Sequence, residues 1–96
     1  MKSLQFRPAA RSDLDGIWDY SLETWGKAQA ISYLQALQVA CQTLCDGNAA
    51  STSADHIIQG FRKLRVGSHV VFFRENDDAI IVVRILHQRM DVPKHL

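Results

Sequence analysis

The sequence lacks most features of a secreted, membrane-spanning or cofactor-binding protein. Its longest unbroken aliphatic run, residues 79–83, ends at Arg84 and is far shorter than the roughly 20 apolar residues of a membrane span. The first residues contain no apolar segment of the secretory type, so we expect a cytoplasmic protein with no membrane contact. Glycine-rich phosphate loops and the ligand spacings of metal sites are also missing, and we therefore expect no cofactor and no metal.

Cysteine is scarce as well, and the two that occur, Cys41 and Cys45, do not make a disulfide framework. They lie four residues apart in a segment with helical periodicity, where a helix holds the two side chains too rigidly for an easy disulfide. We predict that both pack in the core.

The composition is that of one small globular domain, residues 1–96, with 47% apolar and 22% charged residues. Charge is uneven, because residues 1–60 have four basic and six acidic groups and residues 61–96 have seven basic and four acidic groups. No acid occurs between residues 61 and 74, which include Arg62, Lys63, Arg65 and Arg74. This stretch suits an acidic protein surface or nucleic acid, or is a solvated strand face beside acidic helices of the same molecule.

The apolar periodicity predicts an α+β fold with the element order β-α-α-β-β-β. Steps of three and four indicate two helices separated by Gly26, which should form an antiparallel hairpin. Gly67-Ser68 is a two-residue turn that favours a type II′ hairpin. We expect the helical hairpin to pack on a small antiparallel sheet. The predicted strands are residues 3–7, 57–66, 69–74 and 79–87, the first helix is 9–25, the second spans the stripe from Ala30 to Leu44, and 48–55 is a loop.

The helical hairpin is rich in aromatic residues, including Trp18, Trp25 and Tyr33. For each tryptophan we favour a place in the core. Two tryptophans in a chain of 96 residues exceed what a small interior holds with ease, so one of them is alternatively part of an exposed apolar groove that a partner helix fills. Together with Leu22 and the basic stretch, they are our candidates for binding a partner peptide: Trp18, Leu22, Trp25, Arg62, Lys63 and Arg65.

Basic and titratable residues also gather in the predicted strands and the C-terminal segment. Metal-independent RNA cleavage needs a base, a cation and an acid, which histidine and arginine on adjacent strands supply in principle. A basic cluster without fixed geometry favours binding over catalysis, so we expect no enzyme activity. The candidates for binding a target are Arg84, His87, Arg89, Asp91, His95 and His69.

Several segments resemble the ParE toxins in order along the chain. Asp13-Leu14-x-x-Ile17-x-x-Tyr20 and Trp25-Gly26-x-x-Gln29-Ala30-x-x-Tyr33 resemble their helical hairpin. Gly60-Phe61-Arg62-Lys63 with Val66-Gly67-Ser68-His69 is similar to their central hairpin, and residues 84–91 with His95-Leu96 are similar to their C-terminal signature. The loop 48–55 lacks the proline expected there.

The resemblance implies the RelE/ParE toxin fold and a type II toxin–antitoxin module. It implies a toxin that inhibits DNA gyrase, blocks replication and is neutralised in a hetero-oligomer by a ParD-like antitoxin, a DNA-binding dimer with a flexible C-terminal segment. The antitoxin is expected to bind at the six candidates for a partner peptide named above. The toxin alone is not expected to bind DNA sequence-specifically.

The alternative is a RelE-like ribosome-dependent mRNA interferase, which shares this fold. Lys63 and Arg65 lie where part of the basic set of those enzymes would be. The last tyrosine of the chain, Tyr33, is predicted to lie far from the sheet, so His87 or His95 would have to replace the usual C-terminal tyrosine.

Overall fold

The computed structural model describes residues 2–47 and 50–96, which form two long helices packed on one face of a five-stranded sheet. The predicted α+β class and the helical hairpin are confirmed. The elements are β1 (Ser3–Phe6), α1 (Pro8–Trp25), α2 (Lys27–Cys45), β2 (Thr52–Ser53), β3 (Arg62–Val66), β4 (His69–Glu75), β5 (Ala79–His87) and α3 (Val92–His95).

The sheet has the strand order β1-β5-β4-β3-β2. β5 lies between β1 and β4, and its pairing with β4 is the longest in the sheet. β1 pairs with β5 in parallel, Ser3 opposite Ala79 and Phe6 opposite Val82, whereas the other pairs are antiparallel. The expectation of a purely antiparallel sheet is therefore wrong for this one pair. No short turn joins β1 to β5, so local sequence does not fix their relative direction.

Gly26 alone connects the two long helices. Its φ of +89° lies in the region that favours glycine, its N–H donates to the Leu22 carbonyl, and its own carbonyl accepts from Ala30. The apolar faces of both helices then meet β1, β4 and β5 in the main core. Cys41 lies in this core, and burial raises the pKa of its thiol to about 11, so the thiol stays protonated and serves as packing.

A second, smaller apolar cluster covers the opposite face of the sheet. Its centre is Phe72 and Leu86, which are 2% and 1% exposed. The segment before β3 and the C-terminal tail cover them, so the tail belongs to the folded structure. The covering residues are Ala54, Ile57, Phe61, Val92 and Leu96.

The segment between α2 and β3 differs from the prediction. Within the predicted loop, residues 48 and 49 lie outside the described residues, and Thr52–Ser53 forms β2. The strand expected from Ile57 begins only at Arg62. Asp55 explains the delay, because its carboxylate accepts the Gly60 N–H at 2.7 Å and closes a turn in which Gly60 has a φ of +86°.

The edge of β5 beyond Val82 has no strand beside it, because β1 ends at Phe6. Asp13 of α1 occupies this edge. Its carboxylate accepts the Ile85 N–H at 2.9 Å and two N–H groups of the Arg84 guanidinium, each at 2.8 Å. The remaining guanidinium nitrogen, Nη1, donates to the His95 carbonyl at 2.8 Å, so one network joins α1, β5 and the tail.

We predict that Asp13→Asn lowers the free energy of unfolding by about 3 kcal/mol, because it leaves the Arg84 guanidinium without its anion. The side chains of Arg84 and Asp13 are only 21% and 14% exposed, so water replaces little of the lost interaction. Chemical denaturation measures the change. Asp15→Asn, an exposed position two residues away, is the control and should stay within about 0.5 kcal/mol of wild type. Equal destabilisation by both variants would contradict the prediction.

Candidate functional site

The candidate site lies at the end of the sheet, where the turn between β3 and β4 meets the end of β5. His69 pairs with Val66 on one side and with His87 on the other. The turn residue Gly67 has a φ of +57°, whereas Ser68 does not have a positive φ, the pattern of the predicted type II′ turn.

Tyr33 of α2 holds this turn from the helix side. Its hydroxyl accepts the Ser68 N–H at 3.0 Å and lies 2.6 Å from Nδ1 of His69. A Cβ on Gly67 would lie 2.8 Å from the Tyr33 ring and hydroxyl, so glycine is required here for contact as well as for φ. The prediction that Tyr33 is far from the sheet is wrong, because the periodicity of α2 does not determine where this helix packs against the sheet.

His69 and His87 lie against each other, with ring centroids 5.3 Å apart and ring planes at 88°. Burial, and next the neighbouring His87, lower the pKa of His69 below its ordinary 6.5, and the more distant Asp13 opposes the shift. His69 is therefore neutral near pH 7, and its Nδ1 shares a hydrogen bond with the Tyr33 hydroxyl, which also donates to the Val66 carbonyl at 3.4 Å. Nδ1 of His87 accepts the Arg89 N–H at 3.2 Å.

An aromatic row runs from the tip of the helical hairpin to the end of the sheet. Trp25 contacts Tyr20 and Tyr33 at centroid distances of 5.8 and 6.4 Å, and Tyr33 contacts His69 at 5.5 Å. Trp25 is 52% exposed, so the core position favoured for it is wrong. Trp25 is the last residue of α1, so its ring lies at the end of the hairpin, against Tyr20 and Tyr33 and outside the main core.

The target-binding candidates do not form one free surface. Arg84 is bound to Asp13 and to the His95 carbonyl, and its hydrogen bonds to Asp13 raise its pKa. Asp91 lies 3.8 Å from the Lys94 ammonium. Arg89 is exposed, and among residues 2–47 and 50–96 no carboxylate forms an ion pair with it.

The three basic antitoxin-binding candidates on β3 are split between the two faces of the sheet. Arg62 faces the helix side, where it donates to the Ser51 hydroxyl and carbonyl, both at 2.9 Å. Lys63 and Arg65 face the opposite side and border a groove with Phe72 and His87. Neighbouring strand residues point to opposite faces of a sheet. Lys63 and Arg65 therefore lie on the face away from the helices and do not form one patch with the aromatic candidates.

Of the two aromatic candidates, Trp18 borders a separate apolar groove of about 360 Å³ between α1, α2 and β1, and Trp25 does not line it. Trp18 is partly buried and lines it, so the groove expected as the alternative is present for this tryptophan. Leu22, one turn further along α1, is 40% exposed. The other main lining residues are Leu4, Phe6, Leu14, Ile31 and Leu34.

Residues 2–47 and 50–96 contain no group of three or more histidine, cysteine or acidic side chains able to hold a metal ion. In the same part of the chain, no helix has the length and apolar character needed to cross a membrane.

Comparison with known proteins identifies similar chains over nearly the whole length. The family profile described as "ParE toxin of type II toxin-antitoxin system, parDE" matches residues 4–92. Toxin ParE1 of Mycobacterium tuberculosis is 43% identical over 93% of this chain and 92% of its own. Toxin ParE1 of Caulobacter vibrioides is 34% identical over 100% of this chain and 99% of its own.

Solved structures share the fold at lower identity. A structure titled "Chromosomal ParDE TA system from P. aeruginosa" covers 91% of this chain and 96% of its own, with a TM-score of 0.76 and 24% identity. The toxin–antitoxin complex RelBE2 of Mycobacterium tuberculosis covers 91% of this chain and 98% of its own, with a TM-score of 0.67 and 16% identity. The expected RelE/ParE toxin fold is confirmed.

We predict that acidification destabilises the protein through His69. The folded-state pKa of His69 lies below 6.5, so between these two pKa values the unfolded chain binds more protons, and stability is lost as pH falls below 6.5. The melting temperature, measured from pH 7.5 to pH 5.5, should fall less in His69→Gln than in wild type. His56→Gln, at an exposed histidine, should keep the wild-type slope. The same slope in all three proteins would contradict the assignment.

Proposed function

The chain belongs to the ParE toxin family of type II toxin–antitoxin systems, and from this membership we propose that it inhibits DNA gyrase and so blocks replication. The observation that carries the proposal is the match to named ParE toxins over at least 93% of this chain in two relatives. The C-terminal segment supports it, because Arg89 and Met90 are exposed at the end of β5 and have no role in either apolar cluster.

The second part of the proposal is neutralisation by a ParD-like antitoxin in a hetero-oligomer. The groove beside Trp18 supports it, since an amphipathic peptide segment buries apolar anchors in such grooves. Lys63 and Arg65 offer a positive surface on the other face of the sheet to an acidic part of the same segment. Arg62 contributes less, because its guanidinium is occupied by Ser51.

One observation favours the ribonuclease alternative. Tyr33, His69 and His87 lie in contact, and Arg65 donates to the Gln88 side chain beside them. Such a cluster offers groups for proton transfer and a cation for a developing phosphate charge. Against it, His69 is half-buried and its Nδ1 is already bonded to Tyr33, and we therefore retain gyrase inhibition as the proposed function.

We predict that Arg89→Ala weakens inhibition of gyrase supercoiling by at least about tenfold, the effect of losing one well-placed contact. Its melting temperature should stay within a few degrees of wild type, because the side chain is exposed. Arg74→Ala, at an exposed arginine pairing with the other end of β5, is the matched control and should inhibit as wild type does. Cleavage of ribosome-bound mRNA by wild type, lost in His87→Ala and His69→Ala, would establish the alternative instead.

We also predict that Trp18→Ala weakens antitoxin binding by at least about thirtyfold, as truncating a central aromatic anchor does. Val39→Ala should change the affinity less than about threefold, because Val39 is 61% exposed on α2 outside the groove. Titration calorimetry with the cognate antitoxin measures both. If the Lys63→Ala, Arg65→Ala double variant abolishes binding while Trp18→Ala does not, the antitoxin is held by the basic face alone.

A further inference from the structure

A tight turn follows β5 and carries the exposed Arg89. The Met90 N–H donates to the His87 carbonyl at 2.9 Å, which closes a β-turn. The Gln88 N–H donates to the Ser68 carbonyl at 2.9 Å, so the start of this turn is also tied to the turn between β3 and β4. The backbone on either side of Arg89 is therefore fixed, although Arg89 itself is exposed.

The backbone N–H of Arg89 lies between these two contacts. It donates to Nδ1 of His87 at 3.2 Å, so a side chain holds the peptide group that precedes the Arg89 side chain. The first position of the commonest β-turn favours Asp, Asn and Ser, because a short polar side chain there bonds to the backbone two residues on. In this turn a ring nitrogen of histidine is the acceptor.

The His87 ring is itself held in place. His87 pairs with His69 across β4 and β5, and the two ring planes lie at 88° with their centroids 5.3 Å apart. Nδ1 of His69 shares a hydrogen bond of 2.6 Å with the Tyr33 hydroxyl. His87 is half-buried, in contrast to Arg89. A series of contacts therefore runs from α2 through two histidine rings to the Arg89 backbone.

We propose that His87 is a positioning residue for Arg89, whose imidazole holds the turn in the conformation that presents the guanidinium to the target. The inference rests on the proposed function for the contact between Arg89 and gyrase, and it adds the group that orients this contact. An arginine on a turn that is already fixed loses less conformational entropy on binding than one on a mobile turn. His87 acts through Arg89 and needs no contact of its own with the target.

The first test separates the acceptor at position 87 from the size of the side chain. His87→Asn keeps an acceptor, because an asparagine at the start of a turn bonds to the backbone two residues on. His87→Leu has nearly the same size as His87→Asn and no acceptor. His87→Leu should weaken gyrase inhibition by about three- to tenfold, the effect of losing one hydrogen bond. His87→Asn should recover at least about half of that loss on a logarithmic scale.

His56→Leu makes the same change at an exposed histidine away from this turn and is the matched control, with inhibition expected as in wild type. Equal losses in His87→Leu and His87→Asn, or no loss in His87→Leu, overturn the proposal. A role of the ring in packing alone predicts the equal losses.

A double-mutant cycle shows whether His87 acts through Arg89. In an Arg89→Ala background, His87→Leu should cost less than about a further twofold, because no guanidinium is left to orient. Additive losses assign His87 an independent contact with the target and overturn the proposal, as does full activity of Arg89→Ala. Growth inhibition after induction repeats the cycle without assuming a target. If wild type fails to inhibit gyrase but growth inhibition shows the same coupling, the proposed function is wrong and the positioning role stands.

A measurement on the wild-type protein covers the case in which the His87 variants fold poorly. Nδ1 of a neutral histidine accepts a hydrogen bond only when the proton is on Nε2. Nitrogen NMR of the wild-type toxin at pH 8 should therefore show His87 with a bare Nδ1 and a protonated Nε2. A proton on Nδ1 of His87 excludes the bond to the Arg89 N–H and overturns the proposal.

Discussion

The pairing of Asp13 with Arg84 is the interaction on which the arrangement of this protein depends. A strand edge that is left open offers amide groups to any other strand, and the β5 edge is open where β1 stops. Asp13 fills that gap with one carboxylate, which binds both the strand backbone and the guanidinium. This contact ties α1 to the edge of β5. The tail is fixed by the same guanidinium through the His95 carbonyl.

Tyr33 has the corresponding role at the other end of the helical hairpin. Its hydroxyl accepts the backbone N–H of Ser68. Its ring occupies the space that only a glycine at position 67 leaves free. The segments that carry the resemblance to ParE toxins therefore meet in three dimensions. Asp13 of the first segment contacts Arg84 of the last, and Tyr33 of the second contacts the Gly67-Ser68-His69 turn of the third. Each motif supplies one side of a tertiary contact, so motifs that are far apart in the sequence lie together in the fold.

The structure could be predicted from the sequence wherever local rules determine it. The helices, the turn at Gly67 and the bounds of β5 follow from periodicity and turn chemistry, and the structure agrees with them. The prediction failed where contacts between residues far apart in the sequence determine the structure. The direction of β1, the engagement of Arg84 and the position of Tyr33 all depend on contacts between residues more than 30 positions apart. The late start of β3 is different, since it rests on a local Asp55–Gly60 hydrogen bond that apolar patterning cannot detect.

The parallel pairing of β1 with β5 also has a consequence for the timing of synthesis. β1 has as its neighbour β5, which is synthesised after all the other strands of this sheet, so the sheet cannot close while residues 79–87 are still inside the ribosome. The link between Asp13 and Arg84 spans 71 positions and forms late for the same reason, after a long loop has been closed. A chain cut short before Ala79 lacks the strand that joins β1 to β4, and incomplete translation therefore yields fragments whose sheet is not closed. The folded form therefore appears only after residues 79–87 have left the ribosome.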